Sequence, residues 1–241
     1  EIKMKKIAIS FLATLWLSAL AISPASSAGL GAGLSGKYIN VEASGTESSG
    51  TTGSETDASS VSRSVNESSL IFSYYAEITA GENNGWALGY EAIPGAADVS
   101  DKVHERTDTE TSVTSTATET DNSRTFKASA EIDDYHVTYI EVPLGSVFYV
   151  RYGMSNVDVI TNEVASGNGG NYPNASLDGD QYGFGLKGVK GDRIRWKIGY
   201  QKDDFDTLNL TSTGNSVAAE TNKISADLDT WSAKFSLGIQ F

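Results

Sequence analysis

The chain has 241 residues, with 31 acidic against 18 basic side chains, a formal charge of −13 and no cysteine. An acidic field of this size repels nucleic acid, and without thiols neither a disulfide nor a thiolate metal site can form. Beyond the first thirty residues no apolar run approaches the roughly 18 needed for a spanning helix, although a barrel carries its membrane face in every second residue and escapes that test.

At the front, Lys5 and Lys6 precede an apolar stretch from Ile7 to Ile22 and the small residues Ser26-Ser27-Ala28. This is the pattern of a cleaved export signal, so residues 1–28 are set apart and residues 29–241 are expected to form one domain. Residues 1–28 hold Glu1, Lys3, Lys5 and Lys6, a net +2, which takes the remaining chain from −13 to −15.

From there the chain alternates. Leu30, Ala32 and Leu34 interleave with Gly31, Gly33 and Ser35, and the first strand continues through Lys37 and Tyr38 to about Ala43. After a polar stretch, Ser44 to Ser68, the second strand spans 69–78, with Leu70, Phe72, Tyr74, Ala76 and Ile78 opposite Ser69, Ile71, Ser73, Tyr75 and Glu77. A turn over Gly81 to Gly85 leads to the third, 86–93, with Trp86, Leu88, Tyr90 and Ala92 against Ala87, Gly89 and Glu91; Pro94-Gly95 stops it. A long Ser/Thr/Asp/Glu insertion runs from Ala96 to Lys127.

The fourth strand, about 128–142, ends at the turn Pro143 to Ser146; Glu141 points inward there only if Ile140 and Val142 point out. The fifth, 147–159, sets Phe148, Val150, Tyr152 and Met154 against Tyr149, Arg151 and Gly153. A Gly/Asn-rich loop precedes the sixth, 180–189, which sets Tyr182, Phe184 and Leu186 against Gln181, Gly183, Gly185 and Lys187. The seventh, 193–205, sets Ile194, Trp196, Ile198 and Tyr200 against Arg193, Arg195, Lys197, Gly199 and Gln201. After a last polar loop, Trp231, Ala233, Phe235, Leu237, Ile239 and Phe241 alternate with Ser232, Lys234, Ser236, Gly238 and Gln240. Period-two patterning puts one apolar and one small or polar face on every stave.

The connections alternate long and short throughout, an independent sign of an up-and-down arrangement. With its closing strand ending on Phe241, the chain resembles the outer-membrane β-barrel proteins, and its eight staves look like those of the small OmpA-transmembrane and OmpX-like group. The resemblance implies an all-β, eight-stranded antiparallel transmembrane β-barrel of a Gram-negative outer membrane, with short periplasmic turns and long extracellular loops. It implies outer-membrane lipid as a partner, the barrel-assembly machinery reading Phe241, a monomer, and no cofactor. The competing fold is a secreted β-sandwich, in which the apolar faces would be sealed between two sheets.

Trp86, Phe148, Trp196 and Phe241 fall near the short-turn ends; Tyr182, Tyr200 and Trp231 fall nearer the long loops, with Phe235 between. That spacing reads as two interfacial girdles on a lipid-facing wall. Eight strands enclose a lumen just wide enough for their own side chains. Its candidate charges are Glu77, Glu91 and Glu141 with Lys37, Arg151, Lys187, Arg193, Arg195, Lys197 and Lys234, expected to pair into a plug; an ion path is the alternative.

The loops hold −13 of the −15 and few residues to bury. They are expected to display an acidic surface in a structural or surface-interaction role, open to an extracellular ligand or phage, or to act as a solvated coat. A narrow channel for small solutes or ions is a second reading. Asp178-Gly179-Asp180 and Asp203 to Asp206 lack calcium-loop spacing, so no metal site is assigned. A rim enzyme acting on lipid is a third reading, resting on His136, Asp134 and Ser129; no nucleophile-elbow motif accompanies them, so no catalytic residue is assigned and the chain is read as a non-enzyme.

Overall fold

The computed structural model describes residues 29–48, 60–81, 85–95, 97–98, 104–108, 112–114, 117–119, 124–165, 171–191, 193–213 and 223–241; over 60–61, 97–130 and 163–165 it describes the backbone alone. The export-signal reading of residues 1–28 and the middle of the Gly81–Gly85 turn lie outside the described residues.

Eight staves make the wall: β1 (Gly29–Ser48), β2 (Ser60–Ala80), β3 (Trp86–Ala92), β4 (Arg124–Leu144), β5 (Phe148–Ala165), β6 (Ala175–Lys190), β7 (Ile194–Phe205) and β8 (Lys223–Gln240). Each runs antiparallel to the next. β8 closes on β1 from Gly31↔Gln240 to Ser48↔Lys223, so the sheet has no end in that direction. This is the expected eight-stranded up-and-down barrel, not a sandwich.

The stagger of that closure sets the width. From Asp178 of β6 the paired residues lead through Asn156, His136, Ala92, Tyr74, Leu34, Leu237 and Trp196 to Gly188, on the same strand but ten residues on (188 − 178). At roughly 3.3 Å per residue, against eight spacings of roughly 4.8 Å, this tilts the strands by about 40° and gives a backbone radius of about 8 Å. A cylinder that narrow is filled from both sides by ordinary side chains.

Most strands run further than their outward apolar pattern indicates. β2 begins at Ser60 and not Ser69, and β8 at Lys223 and not Trp231. The polar insertion and the last polar loop contribute strands too. Ala97–Asp98 and His104–Asp108 pair with β4, Ser112–Thr114 pairs with Ala117–Glu119, and Leu208–Thr211 pairs with β8. These extensions hold together because the two faces exchange character along the strand. Outward positions turn polar at Asn156, Asp178 and Asp204, while inward positions turn apolar. Tyr135, Val137, Tyr139, Val157, Val159, Leu177, Phe205 and Leu228 then form a buried cluster inside the long-loop end of the barrel. That end is a sheet of ordinary polarity, apolar within and polar without.

β3 is the exception. It stops at Ala92, where Pro94 supplies no N–H and Gly95 takes φ 83°. Directly across, β4 carries an irregularity between Asp133 and His136, with Asp134 at φ 49°. The bulge adds a residue and shifts the phase, so Ile132 and Tyr135 both reach the apolar cluster.

Candidate functional site in the barrel lumen

The alternation places every second side chain of each stave inside, and the narrow radius brings them together across the lumen. Glu91 of β3 is the hub. Its carboxylate accepts from Lys37 Nζ at 2.8 Å, Arg151 Nη2 at 2.8 Å, Lys234 Nζ at 3.0 Å and Ser73 Oγ at 2.7 Å. One side chain thereby joins five strands. Glu141 accepts from Lys197 at 2.9 Å and lies 3.5 Å from Lys187 and 3.8 Å from Arg151. Glu77 accepts from Lys197 at 2.6 Å and from Tyr139 Oη at 3.1 Å, with Arg195 at 3.4 Å. Lys187 also donates to the Gly85 carbonyl at 2.7 Å.

The structure therefore brings together nine of the ten lumen residues named from the sequence: Lys37, Glu77, Glu91, Glu141, Arg151, Lys187, Arg195, Lys197 and Lys234. Glu141 is fully buried and pairs inward, while Ile140 and Val142 are half-buried on the other face. Arg193 is the correction. β7 starts at Ile194, so Arg193 stays in the turn, exposed, one residue short of the wall that would have aimed it inward.

A second layer was not legible as a site. Asp203, read from the sequence as a loop acid, is buried, and accepts from Tyr135 Oη at 2.8 Å, Gln181 Nε2 at 3.0 Å and Thr230 Oγ1 at 3.2 Å. Gln181 in turn accepts from Arg151 Nε at 2.7 Å, linking the two layers. With its amide oxygen turned inward, Gln201 accepts from Arg151 Nη1 at 3.2 Å and Lys234 Nζ at 2.9 Å. The inward parity of Gln181, Gln201 and Asp203 was the available signal; Asp203 was hidden by its place in the acidic run Asp203 to Asp206.

Among the described residues the buried lumen holds six cations against four carboxylates. Part of the surplus is met by ring faces. The Arg151 guanidinium lies 3.5 Å over Tyr139, and Lys197 stands 5.1 Å from the Tyr75 ring. The tyrosines fit because glycines face them: at Gly89 an added Cβ would run into the Tyr139 ring, and at Gly199 into the Tyr149 hydroxyl. Lys37, Lys187, Lys197, Gln181, Gln201, Glu91, Glu141, Tyr139 and Tyr149 each retain under 2% exposure. A water-wide passage would leave its lining side chains accessible to water, and these are not.

The outer face carries the aromatic residues. Trp86, Phe148, Tyr182, Tyr200 and Phe235 are exposed, and Trp196 and Trp231 are half-buried; Trp196 lies across Gly188. Towards the long loops the rings touch in sequence, Tyr38–Trp231 at 5.9 Å, Trp231–Tyr200 at 6.2 Å, Tyr200–Phe184 at 5.7 Å and Tyr182–Tyr152 at 5.5 Å. Phe241 is 78% exposed at the other end, its N–H bonded to the Leu30 carbonyl at 2.7 Å. From Trp231 to Phe241 is ten residue steps, about 34 Å along the strand and about 26 Å once tilted, close to the band height of membrane barrels.

His136 lies on this outer face beside Tyr90, with Nδ1 2.9 Å from the Asp134 main-chain carbonyl. Asp134 meets the imidazole through its backbone and not through its carboxylate. Ser129 pairs in the backbone ladder with Asn162, and its side chain lies outside the described residues, as does that of His104.

No family model matches the chain, and no curated protein matches it either. Among solved structures it is similar to the outer membrane protease OmpT of Escherichia coli, at 7% identity and a TM-score of 0.42, over 89% of this chain and 98% of that one. It is also similar to the outer membrane protein OprG of Pseudomonas aeruginosa, at 13% identity and 0.41, over 86% and 96%. A third is Ail, the attachment invasion locus protein of Yersinia pestis, at 10% identity and 0.34, over 86% and 99%. Independently of these likenesses, the strand pairing shows an all-β chain closed into an eight-stranded antiparallel barrel.

Proposed function

We propose that this chain is a membrane-spanning barrel of a bacterial outer membrane that holds acidic loops outside the cell and passes no solute through its middle. The observation that carries the reading is the division of faces. Large apolar side chains such as Leu34, Phe72, Phe184 and Ile239 cover the outside, at 50% exposure or more, while ten charged residues are sealed inside. A water-soluble domain would do the reverse, since it rarely exposes an apolar patch beyond a few hundred Å². The filled lumen favours a structural or surface-interaction role over a channel. The barrel is the rigid support, and the loops at its polar end are the part offered to partners.

Planar-bilayer recording of the refolded protein tests this. The expected result is no unitary conductance in simple salt, and stable stepwise currents would remove the closed-barrel reading. Loop-by-loop deletion followed by cell- or phage-binding assays then locates the recognition surface.

A further inference from the structure

Where the outer face of the wall turns from apolar to polar, it does so in a set order. On β7 the outward residues run Tyr200, Lys202, Asp204, and on β8 beside it stand Trp231 and Asp229. Lys202 pairs with Trp231. Asp204 lies between Asp229 on one side and Asp180 of β6 on the other. Carboxylates set opposite one another repel unless a cation reaches them. Asp180 accepts from Tyr152 Oη at 2.7 Å. Lys202 is exposed, with Nζ 3.5 Å from Asp229 Oδ1, and Asp204 has no ion-pair partner among the described residues.

A buried acceptor lies beside this group. Asn40 of β1 pairs with Trp231 from the side opposite Lys202 and keeps 6% exposure. Its Nδ2 donates to Asn66 Oδ1 at 2.7 Å and Ser68 Oγ at 2.9 Å, both on β2. The other fork of the amide, Oδ1, is therefore turned towards β8, and it accepts no hydrogen bond. With strands tilted by about 40°, each residue climbs about 2.5 Å and each step from β7 to β8 to β1 about 3 Å. Measured from Trp231, Lys202 lies about 3 Å nearer the membrane centre, while Asp204, Asn40 and Asp229 lie about 2, 3 and 5 Å further out.

We propose that this face binds a phospholipid headgroup in which an ammonium lies beyond a phosphate, as in phosphoethanolamine. The order of depth is the same in the wall and in the lipid. The phosphate meets Lys202, and the ammonium meets Asp204, Asp229 and Asn40 further out, where its three N–H donors face acceptors. The glycerol and the acyl chains lie over Trp231 and Tyr200, whose stacked rings are 6.2 Å apart. Among the described residues no three acids converge on one point, which suits an ammonium and not a metal ion. The inference rests on the reading that the outer face meets lipid, and it names the lipid.

The test uses the full chain with Trp231 as its only tryptophan, folded in phosphatidylcholine vesicles. Roughly one lipid in five is brominated near the headgroup, and is phosphatidylethanolamine, phosphatidylcholine or phosphatidylglycerol. Quenching of Trp231 should give the brominated ethanolamine lipid a preference of about fivefold over the other two, the product of two exposed ion pairs. Choline carries no N–H, and the glycerol headgroup carries no cation. Asp204→Asn with Asp229→Asn should bring the ethanolamine and choline lipids to parity, with the gel mobility of the folded barrel unchanged. Lys202→Met should weaken quenching by both. Equal quenching by the ethanolamine and choline lipids in the parent chain overturns the proposal, as does a preference that survives loss of both aspartates. An equal preference at Trp86, tested as the only tryptophan, overturns it as well. Erasure of the preference by excess soluble phosphoethanolamine overturns the lipid as ligand. Equal quenching by all three lipids strikes this site and spares the membrane-spanning reading, whereas no quenching by any of them removes that reading too.

Discussion

Replacing Glu91 with glutamine is the sharpest perturbation of the lumen. The carboxylate is fully buried and holds two lysines and one arginine at 2.8 to 3.0 Å. Glutamine keeps the shape and can still meet Ser73, but it leaves three cations facing a neutral amide. The buried lumen already has six cations to four carboxylates among the described residues, so the substitution moves it from +2 to +3. Removing one partner of a buried pair costs about 3–5 kcal/mol, because the remaining charge stays desolvated. Three cations share this loss, and a lysine can shed its proton, so about 4 kcal/mol is expected. With a urea slope of about 2 kcal/mol per molar, the midpoint should fall by roughly 2 M. The assay is equilibrium unfolding in phospholipid vesicles, followed by tryptophan emission and by the gel mobility of the folded barrel. Lys234→Met in the same background removes one surplus cation and should recover a large share of the loss. The reasoning is refuted if Glu91→Gln lowers stability by less than about 1 kcal/mol, or if adding Lys234→Met deepens the defect.

Three further outcomes follow from the faces of the wall. Phe235→Arg, on the outward face midway between Trp231 and Phe241, should cost about 2–4 kcal/mol in lipid; near-neutrality would mean that this position faces water. Gly89→Ala drives a methyl into the Tyr139 ring and should cost about 1–3 kcal/mol, a cost that Tyr139→Leu in the same chain should partly remove; additive losses in the double variant would show that the ring and the glycine do not meet. In single-tryptophan variants, Trp86 and Trp231 should both be quenched more by bromines near the headgroups than by bromines at mid-chain. Equal quenching at all depths would contradict two girdles.

The sequence alone determined the number of staves, their order and the direction of nearly every inward side chain. A strand leaves no freedom here: once the apolar face of β7 is recognised in Ile194, Trp196, Ile198 and Tyr200, Arg195, Lys197 and Gln201 must point the other way. Where a strand begins is not contained in that rule, and this is why Arg193 falls outside the lumen. The long-loop half of the barrel was illegible for a related reason. There the outside turns polar and the inside apolar, so Val157, Leu177 and Leu228 read as isolated residues in polar surroundings until the closed wall sets them against one another. Which carboxylate would be the hub was also a matter of three dimensions. Glu77, Glu91 and Glu141 share the same pattern, and only the ten-residue stagger of the closed sheet carries Lys37, Arg151 and Lys234 to the same point in space.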